Sequence, residues 1–353
     1  MRIGIPKETR PFEGRVALIP QACGDLVRLG HEVLVERGAG LGSGFSNDAY
    51  RNIGVALMDS PGALYDRAEM VVRVKEPWGP ELDLLREDHL LFCFLHLAAN
   101  RPLMERLRQI GLTALAFETV RQGERLPILA PMSNIAGCLA AQIGAGLLHQ
   151  HEGGKGLLLG GIPAAERGRV VVLGAGNAGA AAVRLAASVG ASVTLFDTDP
   201  GKLETMRRAG PNVTSLYPYA DSIARAIAET DLLIGAVLVP GAQAPRLVSE
   251  ALVASMEAGS VVVDVSVDQG GCIETTRPTT YEAPTFEVHD VIHFGVTNMP
   301  GIVPRSASRA LCASLYPWVA RLAQPRWRED ATLAAAVNVS AGEVVYPALL
   351  PLA

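Results

Sequence analysis

The chain is poor in aromatic residues, 5% of its 353 residues, although 49% of it is hydrophobic. Its apolar mass is therefore largely Ala, Val and Leu, with abundant Gly, as expected for parallel strands covered by close-packed helices. It has no cluster of Lys and Arg, and its formal charge is only −5. Nothing concentrates positive charge against a phosphate backbone, so no nucleic-acid partner is expected. No uninterrupted apolar run reaches the roughly 18 residues that span a bilayer. The segment Met1–Glu8 reads as a short strand and loop, without the charged and then apolar regions of a secretory signal. No membrane partner is expected, and the chain reads as soluble and cytoplasmic. The five cysteines (Cys23, Cys93, Cys138, Cys272, Cys312) are odd in number and form no CxxC pair. That excludes a disulfide framework and a structural zinc site of the usual spacing. His289 and His293 flank a short strand with Asp290 but lack a third ligand, so no metal is expected.

What the chain does have is the stretch Arg169-Val-Val-Val-Leu-Gly-Ala-Gly-Asn-Ala-Gly179. Val170–Leu173 is an apolar run built to be a buried strand. Gly174, Gly176 and Gly179 follow at the G-x-G-x-x-G spacing, with Asn177 and Ala178 between the last two. Ala180–Ala186 then supplies a helix with an apolar face. A second apolar run, Val193–Phe196, ends in Asp197. This strand–turn–helix–strand–acid order is that of a dinucleotide-binding unit. Gly174 permits the turn, Gly176 lets backbone approach a pyrophosphate, and Gly179 lets helix and strand pack closely. The helix N-terminus offers N–H groups to the phosphates. Asp197 can accept from both ribose hydroxyls and would repel a 2′-phosphate, so NAD is the expected cofactor rather than NADP. The competing reading is a tight βα turn in another doubly wound fold.

Two α/β series run along the chain. Expected strands of the first are Arg2–Ile5, Glu32–Glu36, Met70–Val74, Leu90–Phe94 and Thr113–Ala116, with helices near Gln21–Leu29, Ala63–Asp66 and Pro102–Gln109. Those of the second are Val170–Leu173, Ser192–Phe196, Leu232–Ala236, Ser260–Val265 and Ile292–Val296. A long helical pattern follows Pro304, too small for a domain of its own. The expected class is α/β with two doubly wound, Rossmann-like domains, the nucleotide domain inserted into a discontinuous substrate domain. Residues 1–127 plus 305–353 form the substrate and catalytic domain, and residues 128–304 the NAD-binding domain. The Gly-rich stretch Gly153–Pro163 lacks the GK[ST] ending of a phosphate loop and reads as a turn and short strand.

Polar residues stand where apolar runs end. Arg15 lies in the loop after the first strand, Lys75 follows Met70–Val74, and His96 follows Leu91–Leu95. Arg can hold a carboxylate in a fork, Lys can polarise a carbonyl, and His can exchange a proton near neutral pH. Such a set suits an anionic keto acid or amino acid. The plainer readings are a surface arginine, a solvated lysine and a core histidine. In the second series, Val261–Val263 leads into Asp264 and Asp268. Asp268, past the strand, is the better candidate for an acid near a nicotinamide, against an Asp making a turn hydrogen bond. Asn298 ends another strand in a polar turn.

In sequence the chain resembles the bacterial alanine dehydrogenases, of the alanine dehydrogenase/transhydrogenase alpha-subunit family, over nearly its whole length. The resemblance rests on Gly4-Ile-Pro-Lys-Glu8, Arg15-Val-Ala-Leu18, Gly38-Ala-Gly-Leu-Gly-Ser-Gly44, Val74-Lys-Glu-Pro77, Leu95-His-Leu-Ala-Ala99 and Ala130-Pro-Met-Ser133. It continues through Ile234-Gly-Ala-Val-Leu-Val-Pro-Gly-Ala242, Asp268-Gln-Gly-Gly-Cys272, Arg277-Pro-Thr-Thr280 and Asn298-Met-Pro-Gly301. It implies reversible, NAD-dependent oxidative deamination of L-alanine to pyruvate and ammonia, in a homohexamer. It implies that His96 and Asp268 are catalytic acid/bases and that Arg15 and Lys75 clamp the substrate. It further implies cofactor contacts at Ser133, Asp197, Val237, Leu238, Val267, Asn298 and Met299. Four departures stand out: Asn100 for Asp, Asn134 for Glu, Cys138 for Arg and Gln243 for Lys. The C-terminal tail from Val337 is also atypical. Another small amino acid or keto acid as substrate (an opine- or saccharopine-type reaction), transhydrogenase-like hydride transfer, and an NAD-binding regulator without turnover stay open.

Overall fold

The computed structural model describes residues 1–237 and 244–352, with the side chains of Asp268 and Gln269 left aside. Its strands are β1 Arg2–Ile5, β2 Glu32–Glu36, β3 Ala56–Met58, β4 Met70–Val72, β5 Leu90–Cys93, β6 Thr113–Ala116, β7 Arg169–Leu173 and β8 Ser192–Phe196. They continue with β9 Val213–Leu216, β10 Leu232–Gly235, β11 Val261–Asp264, β12 Thr285–Val288, β13 Val291–Phe294, β14 Val337–Ser340 and β15 Glu343–Val344. The chain divides into two compact units, Met1–Met132 with Gly301–Ala353, and Ser133–Pro300. The divisions fall after Met132 and Pro300, where the sequence places them after 127 and 304.

The first unit holds a sheet in the order β15-β14-β6-β5-β4-β1-β2-β3. From β3 to β6 the pairs are parallel, and β14 and β15 add antiparallel. β1, β4 and β5 are almost entirely buried, which is why they are short apolar runs rather than alternating ones. The core gathers Leu34, Val71, Leu91, Ala114 and Val339 from successive strands. Helix Arg101–Ile110 begins where the Asn100 side chain accepts from Leu103 N and ends at Gly111, φ 83°. Asn is among the strongest helix N-caps, on a par with Asp.

The second unit holds a sheet in the order β12-β13-β11-β10-β7-β8-β9, parallel except for β12. Read from β9 to β13, this is the 3-2-1-4-5-6 order of a doubly wound nucleotide fold. The first sheet shows the same order from β3 to β6. Helix Ala130–Leu147 packs into the second unit at its glycines. A Cβ on Gly137 would lie 1.9 Å from Ala178 O, and one on Gly144 would lie 2.4 Å from Leu232.

The structure corrects several boundaries. β4 and β5 stop at Val72 and Cys93, where the register shifts: Arg73 N still donates to Phe92 O at 3.2 Å, but Phe94 N donates to Val74 O at 3.1 Å. The stretch Gly153–Pro163 forms turns, with one isolated bridge from Ile162 to Ala165, and no strand. β3, β9, β12, β14 and β15 are elements not expected from the sequence.

Candidate active site

In the first unit, strand order reverses between β1 and β4, the switch point where open α/β sheets bind ligands at their carboxyl ends. Arg15 lies in the loop that leaves β1, Lys75 follows β4 and His96 follows β5. The topology thus brings all three to the carboxyl ends of adjacent strands.

Arg15 is buried, not a surface residue. Glu13 accepts from its backbone N at 3.1 Å and from its Nε at 2.7 Å, and forms a second ion-pair contact through Nη2. Nη1 lies 3.2 Å from Met132 Sδ. The loop is anchored from the C-terminal segment: Ser308, on helix Pro304–Leu322, accepts from Val16 N at 2.8 Å. A Cβ on Gly42 would meet Gly14 O at 2.7 Å, so the two loops touch at glycines.

Lys75 is half-buried, and its ammonium has no ion pair among the described residues. The backbone beneath it is held by Glu8, which accepts from Val74 N at 2.6 Å and from Lys75 N at 3.4 Å. Glu8 is paired in turn with fully buried Arg73 at 3.1 Å, which also reaches Glu81 at 2.7 Å. Burial pushes the Glu8 carboxyl above the ordinary range, with Arg73 pulling the other way. The break that Arg73 makes in the apolar run is therefore a buried support.

His96 is exposed on its side chain, 45%, so the core-histidine reading fails. It adopts φ 50°, the left-handed region that non-glycine residues rarely enter. Glu118, in the turn Phe117–Thr119 after β6, supports that conformation. It accepts from His96 N at 2.7 Å and Leu95 N at 3.2 Å, and its carboxylate lies 4.0 Å from His96 Nδ1. The Phe94 ring stacks on the imidazole, 5.7 Å between centroids and 9° between planes. Glu8 and Glu118 were missed by sequence reasoning. Glu118 carried the same signal as His96, a polar residue just past an apolar strand.

In the second unit the switch point lies between β7 and β10, and the glycine turn fills it. Gly174 has φ 97°, and a Cβ there would lie 2.6 Å from Ala236 O, past the end of β10. A Cβ on Gly179 would lie 1.7 Å from Gly174 O, so the third glycine is what lets helix Asn177–Ser188 meet the turn. Gly176 is different: a Cβ there meets nothing within 4 Å. Its need for glycine is not internal, which fits close approach by a ligand. No side chain caps the helix at Gly176, and Asn177 is exposed beside it, with Ala178 half-buried. Asp197 directly follows β8, one oxygen accepting from Ala175 N at 2.6 Å and the other from Asp199 N at 2.8 Å. Each oxygen has a further lone-pair site for a ribose hydroxyl. These residues fit a dinucleotide: open space at the turn, helix N–H groups for phosphates and an acid for the ribose.

The remaining predicted contacts distribute as follows. Val237 is half-buried, and Leu238 and Gln243 lie outside the described residues. Val267 is buried. Asp268 lies in the turn Val265–Gln269, its side chain outside the description. Asn298 has φ 58°, and Met299 is buried, its carbonyl accepting from Tyr281 at 3.2 Å. Ser133 and Cys138 are half-buried on helix Ala130–Leu147. Asn134 is exposed there, and nothing in the structure explains its replacement of Glu. His293 is buried, bonded to Thr275 Oγ1 at 2.8 Å and Val291 O at 2.9 Å, a satisfied core histidine. No metal-binding group occurs among the described residues, and none of their helices is long and apolar enough to cross a membrane.

A glycine turn at the switch point of a 3-2-1-4-5-6 sheet, with an acid on the neighbouring strand, defines a dinucleotide-binding α/β protein. The family models agree: "Alanine dehydrogenase/PNT, N-terminal domain" matches residues 4–136, and "Alanine dehydrogenase/PNT, C-terminal domain" matches residues 140–347. Alanine dehydrogenase of Bacillus subtilis (strain 168) is 45% identical, over 99% of this chain and 94% of that one. An L-alanine dehydrogenase structure superposes with TM-score 0.96 at 47% identity, covering 100% of this chain and 99% of that one. A transhydrogenase from Sinorhizobium meliloti does so with TM-score 0.85 at 28% identity, covering 99% and 100%. The chain belongs to the alanine dehydrogenase/PNT family.

Proposed function

We propose that this protein catalyses the reversible, NAD-dependent oxidative deamination of L-alanine to pyruvate and ammonia. The observation that carries the reading is the set of three groups, Arg15, Lys75 and His96, at the carboxyl ends of the adjacent strands β1, β4 and β5. It is joined by high identity to alanine dehydrogenases over nearly the whole chain.

When bound at the glycine turn and Asp197, NAD would supply the acceptor for the hydride of the alanine Cα. The chain's own residues do the rest. Arg15 holds the substrate carboxylate and so fixes the direction of the Cα–H bond. As the Cα–H bond breaks, the amine lone pair forms the C=N bond of an iminium. His96, whose Nδ1 lies on the Glu118 side, takes the proton of the attacking water at Nε2. Lys75 stabilises the negative charge that develops on that oxygen. The His96 proton passes to nitrogen, Asp268 takes the hydroxyl proton as the C=O bond forms, and the C–N bond breaks so that ammonia leaves pyruvate behind. The first unit is the substrate and catalytic domain. The second is the NAD-binding domain, with Gly174, Gly176, Asn177, Ala178, Gly179 and Asp197 at the dinucleotide. Ser133, Val237, Leu238, Val267, Asn298 and Met299 complete the cofactor contacts. The active form is a cytoplasmic homohexamer.

The test is NADH absorbance with L-alanine and NAD, then with pyruvate, ammonium and NADH, alongside other 2-keto acids and NADPH. Turnover with alanine, lost in His96→Ala, is expected. NADH binding without alanine turnover would sink the reading and move the search to larger amino acids.

A further inference from the structure

We infer that Asp264 is a positioning residue, whose buried carboxylate staples both ends of the segment 265–272 and thereby fixes the backbone that carries Asp268. The inference rests on the reading of Asp268 as a proton carrier. Asp264 is the last residue of β11, 1% exposed, and caps the turn Val265–Gln269. One oxygen accepts from Ser266 N at 2.9 Å, at the start of the segment. The other accepts from Cys272 N at 3.0 Å, at its end. The Cys272 thiol lies 3.7 Å from the first oxygen. The segment turns back through Gly270 and Gly271, both at positive φ, with Gly271 N bonded to Ser266 O at 3.1 Å.

Two glycines from different elements make room for this carboxylate. A Cβ on Gly235 of β10 would lie 2.8 Å from one oxygen, and a Cβ on Gly271 2.9 Å from the other. The two N–H donors converge on the carboxylate from the two ends of one loop. An amide of the same shape offers one oxygen and would turn its NH₂ toward the second donor. Both bonds therefore need a carboxylate. Burial works against its charge and pushes the carboxyl up to about 6.

The experiment is Asp264→Asn in the full-length protein, with Asp268→Asn beside it. Three readouts are taken: amide exchange of 265–272 by mass spectrometry, steady-state kinetics and the melting temperature. For Asp264→Asn we expect exchange across the segment to rise about tenfold or more and kcat to fall roughly 10- to 100-fold. KM for alanine and the melting temperature should hold or, for the latter, rise. Asp268→Asn should lose turnover while its segment exchanges as in the wild type. Unchanged exchange or unchanged kcat in Asp264→Asn overturns the proposal. A melting temperature lowered at neutral pH, where the carboxylate is ionised, or failure to fold also overturns it, because Asp264 would then be a structural prop. Full turnover in Asp268→Asn would sink the role of Asp268 itself, and the exchange result would still decide whether Asp264 holds the segment.

Discussion

His96 sits in a left-handed backbone conformation, which costs a non-glycine residue roughly 1–2 kcal/mol. Glu118 offsets that cost through the backbone N–H groups of Leu95 and His96. The same device recurs: Glu13 at Arg15, Glu8 under Lys75, Asp264 under the Asp268 segment. Each proposed reactive residue stands on chain held by a carboxylate, itself buried in all but the His96 case. A His96→Gly variant should therefore separate fold from chemistry. Its turnover should drop by roughly 10²- to 10⁴-fold, the usual worth of a general acid/base. Its urea unfolding free energy should stay within about 1 kcal/mol, because relief of strain balances added chain entropy; a larger loss would show that the imidazole is structural. Asp264 gives a second prediction. Its folded pKa, about 6, lies above its ordinary value of 3.8, so the folded state binds the proton more tightly. Its contribution is then fully present below pH 3.8 and is lost as pH rises through 6, on the order of 3 kcal/mol. Stability curves of wild type minus Asp264→Asn between pH 4 and 7 should show that slope; a flat difference would refute it. Lys75 and His96 were legible because each is a polar residue ending an apolar run. Glu118 carried that signal too, but the supporting role was not legible, because the pairing of Glu118 with Leu95 and His96, or of Glu8 with Val74, exists only once strands distant in sequence lie side by side.

Among the elements, the nucleotide turn offers a paired test. Gly179→Ala would force a Cβ against Gly174 O, and overpacking of this kind costs about 1–3 kcal/mol. Gly176→Ala meets open space, so its melting temperature should match the wild type. Both variants should bind NADH more weakly in a fluorescence titration, the first with a lowered melting temperature and the second without. Undiminished NADH binding by Gly176→Ala would remove the turn from the cofactor site. Interior strands were legible as continuous apolar runs: β1, β2, β6 and β8 have the expected bounds. The missed strands lie at sheet margins. β3 is three residues long, β9 and β12 are partly exposed, and the two-residue β15 pairs only with β14. Short, half-solvated edges carry little hydrophobic period, so nothing local marks them. β14, with the pattern Val-Asn-Val-Ser, alternates correctly but follows a long helix, and its antiparallel place beside β6 is a long-range choice.

For the whole molecule, two measurements bear on the proposal. Light scattering on the eluting protein should give the mass of a hexamer; a monomer with full alanine turnover would separate activity from assembly. A chain ending at Ala336 should lose the first unit's fold, since Val339 and Val344 belong to its core. Proteolysis should then cut residues 1–132 while leaving the second unit, which has a core of its own, resistant. Equal loss of both units would contradict the division. The discontinuity of the first unit also has a consequence for biosynthesis. Thr119 donates to Ala336 O at 2.9 Å across 217 residues of chain. A ribosome adding about 5–20 residues per second needs roughly 10–40 s to cover that distance. Throughout that interval β6 is an unpaired edge, exposed to other nascent chains. β14 closes it, so nascent chains stalled before Val337 are the ones that should aggregate.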